Sequence, residues 1–387
     1  MMTDDKPRSG HSARPSVPIE LVAHLPAVLK QRVLASDDAV AAEAMLDVVD
    51  ALPAFSSYVA QGSAWLERVR AAVARLGEQC PERTEVRLLA AIARMAFAAR
   101  ETGPALAAAE AALARAVEVG DVELQATILA QRLPFLAHVS PVPAARDIRA
   151  LDTALGQLPP TLQPSHRDGD VALARIAWAG ATGDQTRMRR ELAAFGRLRL
   201  PEDERLAHFA FATHLGLAQL HLRSHQRAPA AAALIHAAKL ADAHEAVAEL
   251  VNVQACIAAL AMQAGDFHAA VAHAHSAISP SQSLRRSQPD PWLGLPLDVA
   301  QAHNPGEAVG LLAEAVLHAQ DLGDSTGFFV AATAMAAFYL ADRRAMEALD
   351  GLNEAADVAK SMSDPSVVAA LREVSESLLR HLGIFKS

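Results

Sequence analysis

An alanine followed by an apolar residue recurs along the chain at an even spacing. The pairs are Ala72-Val73, Ala112-Leu113, Ala154-Leu155, Ala194-Phe195, Ala233-Leu234, Ala277-Ile278 and Ala315-Val316. Successive steps are 40, 42, 40, 39, 44 and 38 residues. Three longer segments align without a gap: PALAAAEAALARAVEVGD ending at Asp121, EAVGLLAEAVLHAQDLGD ending at Asp324 and EALDGLNEAADVAKSMSD ending at Asp364. In that register Ala105, Ala308 and Ala348 coincide, as do Ala112, Ala315 and Ala355, then Ala116, Ala319 and Ala359. A fixed period of this size marks a repeat architecture, in which one unit cannot bury its apolar face alone and stacks on its neighbours.

Breaking residues follow the same rhythm in two interleaved sets. One falls at Cys80-Pro81, Pro159-Pro160, Pro201, Asp242, Pro280, Gly323-Asp324 and Asp364-Pro365. The other falls at Gly103-Pro104, Pro141 and Pro143, Gly183-Asp184, Ser224 to Gln226, Gly265-Asp266, Asn304 to Gly306 and Asp342. Glycine, proline and capping aspartate end helices, so each 40-residue unit reads as two helices and two turns. The predicted fold class is all-α: a right-handed, elongated superhelical α-solenoid of helix pairs. Regular breakers exclude a long coiled coil. Residues 1–18 read as a polar, Pro/Ser-rich disordered lead-in, residues 19–387 as the repeat domain, and 281–306 as an irregular stretch within it.

The stretch VQACIAALAMQAGDFHAAVAHAHSAISP, residues 253–280, resembles a tetratricopeptide repeat. Ala258 matches that family's small residue in its first helix, Gly265-Asp266-Phe267 its inter-helix turn, Ala270 and Ala277 its two second-helix alanines, and Pro280 its closing proline. From about residue 37 the chain resembles the longer-repeat arrays of bacterial regulators. The resemblance implies a non-catalytic scaffold or adaptor that binds another protein; the alternative is a bacterial signal or peptide receptor. Some members hold a partner's terminal carboxylate with Lys and Asn of the first helix. The corresponding positions here are Ala255 and Ala259, Leu173 and Ala177, and Ala331 and Met335, so that clamp is missing. Residues 1–60 show no basic recognition helix, which argues against a DNA-binding output.

Composition narrows the rest. Apolar residues make up 52% and aromatics only 4%, so the helix interfaces are thin and alanine-lined. A net charge of −9 supplies no basic face for nucleic acid. Residues 301–387 carry −6 of it. Two cysteines form no disulfide framework, the start has no apolar signal core, and the run FFVAATAMAAFYLA is too short to span a bilayer. These features predict a cytoplasmic protein without membrane insertion.

Candidate chemistry is sparse. His214, His221 and His225 fall within about 40° on one helix face, but His214 and His225 lie roughly 16 Å apart along the axis, too far for one ion. His221 and His225 lack the intervening glutamate of HExxH. His268, His273 and His275 are no better placed. No GxSxG, P-loop or GxGxxG motif occurs, so neither metal, cofactor nor catalysis is expected. Partner-binding candidates are of two kinds. Arg187, Arg190 and Arg197 lie within about 80° on a helix and form a patch for an acidic partner. Asn252, Met262, Phe328, Met335 and Phe338 line the inner wall that the resemblance places on the first helix of each pair, an apolar groove for a partner's hydrophobic segment. The competing reading packs these side chains within the solenoid or beneath the last helix, residues 365–382.

Overall fold

The computed structural model describes residues 19–99, 101–139, 141–159, 165–203, 205–278, 299, 302–362 and 364–384. The lead-in at 1–18 and most of 281–306 lie outside the described residues. Every regular element among the described residues is helical: single 3-10 turns at Ser56–Tyr58, Gly77–Gln79 and Lys360–Met362, and eighteen α-helices. In chain order they are α1 (Ile19–Val22), α2 (Ala27–Val33), α3 (Asp38–Ala51), α4 (Val59–Leu76), α5 (Glu82–Ala98), α6 (Thr102–Val119), α7 (Val122–Val139), α8 (Pro141–Gln157) and α9 (His166–Ala181). Then follow α10 (Gln185–Phe195), α11 (Arg205–Arg223), α12 (Arg227–Ala243), α13 (Val247–Gln263), α14 (Phe267–Ser276), α15 (Pro305–Asp321), α16 (Ser325–Ala341), α17 (Ala345–Ala359) and α18 (Pro365–His381). The protein is an all-α solenoid of helix pairs. The first helices α3, α5, α7, α9 and α11 stack into one layer, each packed on the next, with their partners outside.

The turns follow from local chemistry. Gly120, Gly183, Gly265 and Gly323 each take a left-handed φ between 66° and 74° just past a helix end, a conformation that costs a residue with a Cβ about 1 kcal/mol or more. The aspartate that follows caps the next helix: Asp121, Asp184 and Asp266 accept from the amides of Leu124, Arg187 and Ala269 at 2.8–3.0 Å. Where the glycine is missing, His225, Glu245 and Arg343 are held at positive φ instead. One expected turn moves. Gly103 and Pro104 lie in the first turn of α6, where a proline's missing amide is harmless, and the break falls at Ala99 to Glu101.

Two features shape the array. Close approach of α9 and α11 depends on glycine: a Cβ on Gly169 would stand 2.8 Å from the Phe209 ring, and one on Gly180 2.5 Å from Gln219. And α16, apolar on every side, is surrounded by α13, α14, α15, α17 and α18. That burial explains FFVAATAMAAFYLA without a bilayer; no helix among the described residues is long and apolar enough to cross one.

Candidate functional site

The first-helix layer carries a column of polar residues at the repeat spacing: Arg94 on α5, Gln131 on α7, Asp170 on α9, His208 on α11 and Glu249 on α13. Their steps are 37, 39, 38 and 41 residues. Four successive first helices, with Ala54, surround one cavity of about 30 Å³ lined by Arg94, Gln131, Asp170, Arg205, His208 and the Phe97–Phe135 stack. The wall is therefore concave here, and the cavity has room for one or two waters.

Its electrostatics are those of a buried ionic cluster. Arg205 donates through Nη2 to both oxygens of Asp170 at 2.6 and 2.7 Å, with both side chains under 10% exposed. Gln131 donates to the same carboxylate at 3.0 Å, and the Arg205 guanidinium lies over the Phe209 ring, 5.2 Å from its centroid. Arg94, also buried, donates to the Leu52 carbonyl at 2.8 Å and to the Val49 carbonyl. Burial, and then the neighbouring Arg205 charge, push Arg94 down to about 10. Burial and the same two guanidiniums push His208 down to about 3, so it is neutral at pH 7.

The segment between α3 and α4 lies against this wall. Arg205 Nη1 donates to the Asp50 carbonyl at 3.4 Å. Phe55 is fully buried, edge-on to Phe211 at 5.3 Å and to His208 at 5.5 Å, with His244 5.3 Å away. The Ser56 amide and hydroxyl donate to Glu249 at 3.0 and 2.6 Å, and the Tyr58 hydroxyl lies 3.0 Å from His244 Nδ1. The first pair is thereby joined to the fifth and sixth, so the array curls back on itself rather than running straight.

A second concavity faces outward. Helices α15 and α17 both pack on α16 and leave an open groove of about 380 Å³ between them. Its floor is Met335 and Tyr339, both half-buried, and its walls include Val316, Leu317 and Val358. Leu317 is 61% exposed. Glu347, Asp350 and Glu354 line the α17 side. Glu347 pairs with Arg344, while Asp350 and Glu354 have no ion pair among the described residues.

The residues expected to bind a partner separate accordingly. Asn252, Met262, Phe328 and Phe338 are fully buried, so they do not present a surface. The last two pack in the core around α16, and Asn252 accepts the Val299 amide at 3.0 Å. The inner-wall expectation is corrected for these four; Met335 alone of the five reaches a groove, and that groove is on the outer side of α16. Arg187 and Arg190 lie on α10 against Glu191, but the helix ends at Phe195, so Arg197 does not share their face. His214 stacks on His236 at 5.1 Å, His221 lies 2.7 Å from Gln226, and His225 sits in the left-handed turn. The three do not converge, and among the described residues no group of three or more His, Cys, Asp or Glu is gathered around a point. Arg94, Asp170, Arg205, Glu249 and Phe55 were not singled out from the sequence. Carrying the 40-residue step over from alanines to charged residues would have found Arg94, Asp170 and Glu249, but not Arg205, which stands three residues before the column's position on α11.

No protein-family model and no curated protein matches the chain. Among solved structures, a circular tandem repeat protein with novel repeat topology and enhanced subunit contact surfaces aligns over 93% of this chain and 88% of that one, at 14% identity and a TM-score of 0.19. That superposition carries no argument. The helix pairs themselves define the class: a helical-repeat array.

Proposed function

We propose that this chain is a non-catalytic helical-repeat scaffold that binds another protein. The observation that carries the reading is the outer groove between α15 and α17. Its apolar floor suits the buried face of an amphipathic helix, and its carboxylates Asp350 and Glu354 suit lysine or arginine on that helix's flank. The net charge of −9 favours a cationic partner over nucleic acid. A labelled leucine- and lysine-bearing amphipathic helix of about five turns tests it by fluorescence anisotropy. Binding should weaken with salt, and should be lost in Leu317→Asp and in Asp350→Lys/Glu354→Lys. Binding that ignores both variants, or no binding to the unaltered chain, refutes it.

A second reading, a peptide receptor, is favoured by a different observation. On the inner wall, side chains from separate helices already grip the backbone of the segment between α3 and α4: Arg94 its Leu52 carbonyl, Glu249 its Ser56 amide. Peptides are recognised through their main-chain groups in this manner.

A further inference from the structure

Residues 52–58 read Leu-Pro-Ala-Phe-Ser-Ser-Tyr. The backbone is extended at Leu52 and Phe55, with ψ of 139° and 151°, and then turns: Ser56–Tyr58 form a single 3-10 turn in which the Tyr58 amide donates to the Phe55 carbonyl at 3.1 Å. The segment belongs to the first helix pair by sequence, yet its side chains are received by α11, α13 and His244 in the turn before α13, more than 150 residues away. Each contact has the character of ligand recognition. Phe55 fills an aromatic pocket of Phe211, His208 and His244. One carboxylate, Glu249, reads two donors of the next residue, its amide and its hydroxyl. Withdrawing the segment breaks its 3-10 turn at Ser56–Tyr58, but α3 ends at Ala51 and α4 begins at Val59, so neither α-helix need unravel. Openings of that kind need only break the segment's own contacts.

We propose that the inner wall of α11, α13 and the turn leading into α13 is a binding site for a short peptide that enters extended and turns after its phenylalanine, that residues 52–58 fill it as a tethered ligand, and that a partner segment with phenylalanine followed by a hydroxyl residue competes for the same seat. This rests on the receptor reading above. The seat prefers uncharged chemistry at the hydroxyl position. Glu249 accepts two hydrogen bonds there, and a phosphoserine would bring a dianion against that carboxylate. The tether holds the resident segment at high effective concentration, so a competitor meets a seat that is open only part of the time and binds more weakly by that fraction.

The test uses the full chain and a fluorescein-labelled LPAFSSY peptide. The Phe55→Ala/Ser56→Ala variant, its own segment disabled, should bind the probe, and the unaltered chain should bind it at least ~tenfold more weakly. Probes with Phe→Ala, or with phosphoserine after the Phe, should not bind the variant. A variant with unchanged helical circular dichroism that ignores the probe overturns the proposal. Should the double variant not fold, amide exchange on the unaltered chain decides. The Ser56 amide should exchange at least ~10²-fold faster than the amides at the centre of α13, and faster again with the peptide present. Exchange of Ser56 only in step with α13 would make the segment ordinary core and overturn the proposal. Neither result touches the outer groove, whose probe is a basic helix.

Discussion

Replacing Asp170 with asparagine keeps the side chain's size and removes its charge. In water this would matter little. Here both Asp170 and Arg205 are under 10% exposed, with nitrogen to oxygen distances of 2.6 and 2.7 Å. With charge centres about 4 Å apart, the attraction is about 4 kcal/mol at an effective dielectric near 20. The desolvation of each ion costs a similar amount. The intact pair is therefore close to neutral for stability, while either ion alone is a heavy penalty. Losing Asp170 also removes the charge that screens Arg94 from Arg205, whose repulsion already depresses Arg94. Asp170→Asn and Arg205→Met should each destabilise by about 3–5 kcal/mol. The double variant Asp170→Leu/Arg205→Met should lie within about 2 kcal/mol of the unaltered chain, a coupling of several kcal/mol. Urea unfolding followed by circular dichroism measures the cycle, with amide exchange on α9 and α11 as the local readout should the array unfold in stages. Single variants costing under about 1 kcal/mol, with an additive double, would mean that solvent screens the pair and that the inner wall is not low-dielectric.

Three further outcomes follow from individual contacts. Phe338 and Met335 lie one turn apart on α16, but only Phe338 is fully buried; Phe338→Ala should cost about 3–5 kcal/mol in urea titration and Met335→Ala about 1, and equal losses would contradict the groove. His208 is pushed down to about 3, and burial also lowers His166, His214 and His273. Against an unfolded value near 6.5, the unfolded chain binds the extra protons, so stability is full above about pH 6.5 and declines as pH falls toward 3. His208 alone accounts for about 2 kcal/mol by pH 5; a His208→Leu variant that shows the same loss between pH 8 and 5 would refute this. Gly169→Ala drives a Cβ to 2.8 Å from the buried Phe209 ring and should destabilise by about 1–3 kcal/mol, whereas Gly103→Ala, with open space around it, should not; similar urea midpoints for the two would refute the close approach of α9 and α11.

Helix content, the 40-residue step and most turn positions were legible in the sequence because their causes are local. Gly183-Asp184 and Gly265-Asp266 encode a left-handed residue and a cap within two positions, and no distant contact is needed to place the turn. Proline was less decisive: at Pro104 it opens a helix as readily as it ends one, and only the chain's hydrogen bonding chose. Phe328, Phe338 and Met262 went astray for a tertiary reason. Which side of α16 and α13 is wall and which is core depends on five neighbouring helices, and a helix apolar on all sides gives no periodicity from which to choose.

What the sequence determined by itself was the repeating unit. What only the tertiary structure decided was where the curl of the array brings the sixth pair, and therefore that Phe55 and Ser56 meet His208 and Glu249. A repeat specifies the small rotation from one pair to the next, and that rotation is summed over five interfaces before α3 faces α13. Each step is set by side-chain packing, such as the glycine contact of α9 with α11, and none is visible in a pattern of letters.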